Sequence, residues 1–186
     1  MQTIRYGIIG CGSMGREHIE NLRALPGGDG GTEVTAIADP SAQSREQAAA
    51  IAGGKVELFD DHKDLLKSGL CDALVIASPN FTHIQVMRDA LATDLHILCE
   101  KPLVTRVADG VEMIERENER KKKGTGIVWV AQEYRYMPPV QRFLAESRSP
   151  GIGRVRMVSI REHRFPFLTK VGDWNRFSRN TGGTLV

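Results

Sequence analysis

Three glycines in "GIIGCGSMG", Gly10, Gly12 and Gly15, constrain this chain more than any other feature. They follow an apolar, β-rich run and directly precede a helical pattern. In such a turn the first glycine permits a tight bend, the second lets backbone approach a pyrophosphate, and the third allows helix and strand to pack closely. The helix N-terminus then faces the phosphates, with Ser13 and Met14 in its opening turn. A strand-to-helix turn without a ligand is the alternative. The strand-turn-helix context and an acidic residue at the end of the second strand favour the dinucleotide site.

That acidic residue is Asp39 in "AIADPS". A carboxylate there accepts hydrogen bonds from adenosine ribose hydroxyls and repels a 2′-phosphate, so NAD is expected over NADP. Arg45 nearby keeps NADP as the alternative. Asp39 could instead cap the helix that follows.

Short apolar runs at "IRYGIIG", "EVTAIAD", "KVELF", "DALVIAS", "LHILCE" and "GIVWVAQ" alternate with helical patterns at about 13 to 25, 41 to 51, 61 to 67, 80 to 92 and 105 to 123. This alternation predicts βαβ units and a parallel sheet. The runs at 73 to 77 and 95 to 99 are almost wholly apolar, as expected of strands covered by helices on both faces. The expected fold is α/β: a doubly wound domain over 1–125. After about residue 126 the pattern changes to a proline-opened short helix, "PPVQRFLAES", and a long period-2 strand, "RVRMVSIREHRF". We read 126–186 as the beginning of an α+β, open-sheet second domain. Its ending at "NTGGTLV", before any closing strand, suggests part of a longer chain.

"LPGGDGG" reads as a surface turn and "ERENERKKKGTG" as a solvated helix end stopped by glycine, its cations complementing the helix dipole. With a net charge of +2, nothing in the balance of charges calls for nucleic acid or a membrane surface. Cys11, Cys71 and Cys99 are odd in number and far apart, which suits reduced thiols and a cytoplasmic protein, with no metal-ligand spacing. Neither a signal peptide nor a membrane span is legible.

Two further stretches lie where ligands bind in open α/β sheets, at the carboxyl ends of strands. "ASPNFTH" offers Ser78, Pro79, Asn80 and His83; Asn80 could simply cap the next helix, and His83 reads as a structural or cofactor-edge residue rather than a proton donor. "LHILCEKPLV" ends a buried strand on Glu100, Lys101 and Pro102. Successive side chains point to opposite faces, so Glu100 and Lys101 should serve different sites, and Pro102 stops the ladder.

Taken in order, "GIIGCGSMGREH", "ADP", "ASPNFTH", "CEKPL" and "NTGGTLV" resemble the glucose-fructose oxidoreductase, inositol dehydrogenase and rhizopine-catabolism (Gfo/Idh/MocA) family across essentially the whole chain. The resemblance implies a Rossmann fold and an NAD(P)-dependent oxidoreductase acting on a secondary alcohol of a sugar, cyclitol or related polyol. It implies that Lys101, before an often cis bond to Pro102, projects beside the nicotinamide and binds the substrate hydroxyl. It also places Tyr134, Arg135, Trp174 and Arg176 near the substrate, packing being the alternative for each. The family pattern continues, after a segment matching Gly182 to Leu185, into a catalytic aspartate and histidine that this sequence does not contain. Two other functions stand beside the dehydrogenase: a non-catalytic dinucleotide-sensing regulator, and a cofactor-recycling glycosidase of the same fold. An open second-domain sheet would need covering, so a homo-oligomer is expected at full length.

Overall fold

The computed structural model describes residues 3–25, 31–161, 163 and 170–183. Six strands, β1 (Ile4–Ile9), β2 (Thr32–Ala38), β3 (Glu57–Phe59), β4 (Ala73–Ile76), β5 (His96–Glu100) and β6 (Val128–Ala131), form one sheet in the order β3-β2-β1-β4-β5-β6. Every pairing is parallel. This is the Rossmann order, in which the chain reverses direction across the sheet between β1 and β4.

Parallel strands need crossovers, and the helices supply them: α1 (Ser13–Ala24), α2 (Ala42–Ala52), α3 (His62–Lys67), α4 (His83–Ala90) and α5 (Val107–Lys123). Adjacent residues of one strand face opposite layers. Ile8 and Val75 join Ile19 of α1 and Ala48 of α2 on one face of the sheet. Ile9, Leu74 and Ile76 join Leu65 of α3, Val86 and Met87 of α4 and Met113 of α5 on the other. All four residues of β4 are buried, as its unbroken apolar run predicts for the middle of a two-sided sheet. Each fully buried Ile or Leu contributes about 1.5–3 kcal/mol by leaving water. Cys11, Cys71 and Cys99 are free and buried, and burial pushes their thiols up to about 12, 11 and 12.

The chain divides into two compact units, one formed by residues up to 131 with those from Trp174 onward, the other by Gln132–Asp173. The expected boundary at 125 therefore shifts, because Val128–Ala131 completes its backbone hydrogen bonds on β5. The second unit holds α6 (Pro138–Ser147), opened by its prolines as expected. The long strand expected from "RVRMVSIREHRF" does not form across residues 154–161. Alternating side chains are not enough for a strand, which needs a neighbouring backbone, and among the described residues no strand follows β6. Met157 and Ile160 stand 86% and 84% exposed. Most of "LPGGDGG" and of the tail of that stretch lies outside the described residues. The glycine stop after α5 is present as Gly124, with φ 68°. Arg120, in the charge run, is buried rather than solvated and donates to the Leu95 carbonyl at 2.6 Å. No described helix is long and apolar enough to cross a membrane.

The start of β1 is tied to the entry of β4 by a fork: Arg5 Nε and Nη2 donate to Asp72 at 3.1 and 2.7 Å, and Arg5 N donates at 3.0 Å. These bonds hold the Asp72 carboxyl at about 2, below its ordinary 3.8. The unfolded chain then binds a proton that the folded chain refuses, so this fork stabilises the fold above about pH 4 and loses its effect as the pH falls towards 2. Melting curves of the wild type and Asp72→Asn should differ at neutral pH and converge on acidification. A gap of constant size down to pH 2 would show that the fork contributes nothing.

Candidate functional site

The glycine loop closes on itself at two positions and stays open at one. Gly10 has φ +93°, and a Cβ built there would lie 2.4 Å from Ser78 N, so β1 and β4 touch through backbone where the chain order reverses. A Cβ on Gly15 would lie 2.0 Å from the Gly10 carbonyl oxygen, which lets α1 start directly behind the bend. A Cβ on Gly12 would meet nothing within 4 Å, although its φ of −67° suits any residue. Gly12 is also the N-cap of α1, with no side-chain cap and no acidic residue in the first turn. The open direction and the uncapped helix start leave room and positive potential for an anion, so the loop fits a dinucleotide pyrophosphate. Ser13 is half-buried and Met14 exposed in that same first turn.

Asp39 is not a helix cap. Ser41 caps α2, its hydroxyl accepting from Ser44 N at 3.3 Å. The Asp39 carboxylate instead accepts from Cys11 N at 2.7 Å and from Ser41 N at 2.9 Å, which brings it against the glycine loop. Each oxygen keeps acceptor capacity, since a carboxylate offers about four lone-pair sites. Arg45 donates to the Asp39 carbonyl, and Arg16 donates to the Cys11 carbonyl and to Gln47 Oε1, both at 3.1 Å.

At the end of β5 the two charges part as strand geometry requires: Glu100 is buried and Lys101 exposed. Glu100 Oε1 lies 2.8 Å from His18 Nε2 on α1, and Oε2 accepts from Lys101 N at 3.1 Å. Burial pushes the Glu100 carboxyl up, but the His18 bond and charge, with those of Lys101, outweigh it and leave the group below its ordinary range. The Lys101–Pro102 peptide is cis, as the resemblance implies.

His83 lies behind the site rather than on its surface. It is fully buried, with Nε2 2.8 Å from the Ser78 carbonyl and Nδ1 2.9 Å from the Pro102 carbonyl. Ser78 Oγ is 2.7 Å from Thr82 Oγ1, which itself donates to the Pro79 carbonyl. Asn80 does not cap α4; its amide donates to the Thr181 carbonyl at 3.4 Å. Trp174 packs edge-on against Phe81, with ring centroids 6.3 Å apart, and Gly182 lies against Thr105. Residues 174–183 thus run along the rim where β4 and β5 end, with Arg176 exposed. Tyr134 and Arg135 belong to the second unit, in an exposed turn where Arg135 Nε donates to Gln132 Oε1 at 2.8 Å. Gly10, Ser78, His83 and Pro102 therefore form one unbroken series of contacts from the glycine loop to the turn after Lys101.

Sequence reasoning gave His18 no role. The signal was present: positions 15, 18, 19 and 22 fall on one face of α1, and Gly15 and Ile19 are buried there. A histidine on such a face needs a polar partner. The partner, Glu100, is 82 residues away.

Comparison with known proteins bears on the family and the fold. The model of the Gfo/Idh/MocA oxidoreductase family, NAD-binding Rossmann fold, matches residues 4–127. Inositol 2-dehydrogenase 1 of Saccharopolyspora erythraea is 34% identical over 136 residues, covering 73% of this chain and 39% of that protein. Inositol 2-dehydrogenase of Rubrobacter xylanophilus is 34% identical over 138 residues, covering 74% of this chain and 37% of that protein. Among solved structures, myo-inositol dehydrogenase from Lactobacillus casei in complex with NAD(H) and myo-inositol superposes with a TM-score of 0.68 at 27% identity, covering 79% of this chain and 42% of that one. The chain spans about two-fifths of the length of these relatives.

The glycine loop separates binding from folding. Gly12→Ala adds a methyl group to open space at an unstrained φ, so its melting temperature should stay within the change expected of about 0.5 kcal/mol, while NAD affinity falls about tenfold or more. Gly15→Ala drives a methyl group into the Gly10 carbonyl and should cost about 3 kcal/mol or more. Calorimetric NAD titration and thermal melts measure both. Unchanged NAD binding in Gly12→Ala would move the pyrophosphate away from this loop.

Proposed function

We propose a function from a plain premise: the chain belongs to the Gfo/Idh/MocA oxidoreductase family, with an NAD-binding Rossmann fold. The protein oxidises a secondary alcohol of a cyclitol, sugar or related polyol. The inositol dehydrogenases among its relatives support the cyclitol class. The observation that carries the reading is Lys101, exposed at the carboxyl end of β5, while Glu100 beside it is buried against α1.

NAD, when bound, supplies the hydride acceptor. Gly12 and the start of α1 hold its pyrophosphate, and Asp39 accepts from the adenosine ribose hydroxyls. Ser78, Pro79 and Asn80 line the nicotinamide end, where β1 and β4 meet. Lys101 donates to the substrate hydroxyl, and its ammonium stabilises the negative charge that grows on that oxygen as hydride leaves carbon. Trp174 and Arg176, on the rim segment, are candidate substrate contacts. A sensor of dinucleotide would share the glycine loop and Asp39 but would have no use for an ammonium at Lys101.

Two outcomes test the reading. NAD should bind at least several-fold better than NADP, and Asp39→Ser should narrow the gap, because Asp39 repels a 2′-phosphate while Arg45 beside it does not. Tighter binding of NADP to the unmutated protein in calorimetry would overturn the Asp39 assignment. Lys101→Ala should leave NAD affinity nearly unchanged and lower turnover of the complete protein by about 10²-fold or more, the scale of losing one charge-stabilising donor. Lys101→Arg should rescue it incompletely, since the guanidinium is larger and planar. Near-normal turnover in Lys101→Ala would remove the lysine from the chemistry.

A further inference from the structure

We propose that His18 and His83 are the positioning residues of Lys101, holding the residues on either side of it from opposite faces of the sheet. The proposal rests on the reading of Lys101 as a catalytic residue.

Lys101 is exposed, and the residues on both sides of it are fastened. Ahead of it, Glu100 has one carboxylate oxygen on His18 Nε2 at 2.8 Å and the other accepting from the Lys101 backbone N–H at 3.1 Å. The lysine's own amide is thus tied through Glu100 to α1. Behind it, the Pro102 carbonyl lies 2.9 Å from His83 Nδ1, and the same ring reaches the Ser78 carbonyl at 2.8 Å through Nε2. Ser78 in turn abuts Gly10. The two histidines come from helices in different layers: α1 packs with Ile8 and Val75, and α4 packs with Ile9 and Ile76.

The rings are also placed to stay put. His83 is fully buried, and His18 is 19% exposed, above a Glu100 side chain that is 9% exposed. His83 is closed off from the surface, and the His18 ring is engaged by Glu100. Their effect passes through the lysine. Misplacing a reacting group by about 1 Å can cost about 10² in rate, which gives such a clamp something to protect.

A double-mutant cycle against Lys101→Ala in the complete protein tests this. His18→Leu and His83→Leu should each lower kcat about tenfold or more, with KM for the polyol little changed in both and NAD affinity little changed in His18→Leu. In the Lys101→Ala background the same substitutions should have almost no further effect, because what they position is gone. His18→Gln, which can still donate to Glu100, should recover most of the loss. If His83→Leu does not fold, His83→Gln takes its place, with the same dependence on Lys101 expected. A readout without turnover is the NMR signal of Lys101 after reductive methylation. It should be distinct in the parent protein and merge with those of the solvent-exposed lysines in the Leu variants. Losses that add fully to that of Lys101→Ala, or normal turnover in the histidine variants beside a crippled Lys101→Ala, overturn the proposal alone. Near-normal turnover in Lys101→Ala overturns the reading of the lysine, and the proposal with it.

Discussion

The backbone contact between Gly10 and Ser78 is the constraint on which the rest of the site depends. Two parallel strands can present their carboxyl ends at one place only if the chains leaving them diverge, one to each layer of helices. At the point of divergence the backbones must pass close together. A Cβ at Gly10 would sit 2.4 Å from Ser78 N, so any other residue would push the two ends apart. Because Gly10 turns there at φ +93°, α1 can begin within a few residues, and Gly15 lets that helix press back onto the Gly10 carbonyl. The uncapped helix start, the open face of Gly12 and the reach of Asp39 to Cys11 N all follow from that one turn.

What was legible in the sequence was what depends on neighbours in sequence. The glycine spacing, the alternation of apolar runs with helical patterns and the opposed directions of Glu100 and Lys101 are local, and each found its place in the fold. What depends on distant partners was harder to read. Residues 154–161 alternate like a strand, yet a strand exists only beside another. Asp39 could instead have capped α2, and only the three-dimensional placement of Ser41 shows that it does not. His18 and Glu100 are unremarkable apart and decisive together. Arg120 was readable after all: Met113, Glu117 and Arg120 follow helical spacing on one face of α5, and Met113 is buried, so a composition-based reading of the charge run overlooked its periodicity.

Electrostatics explains why a buried strand ends on two charges. A carboxylate taken out of water shifts towards its neutral form unless something opposes the shift. At Glu100 burial is the largest influence, and the combined effect of His18, the Lys101 amide and the Lys101 charge still exceeds it. Glu100 therefore remains an acceptor for two donors, which a protonated carboxyl could not be on both oxygens. The pleat then separates the tasks. The inward residue fastens the strand end to α1, and the outward residue is left to face whatever the crevice binds. A lysine alone at that position would be an exposed strand terminus; beside a fastened glutamate and ahead of a turn held by His83, it becomes a charge whose backbone is fixed at both neighbours. The same sequence that stops the ladder thus fixes the backbone on both sides of an outward charge, and a charge preorganised in this way need not reorganise in order to act on a group beside it.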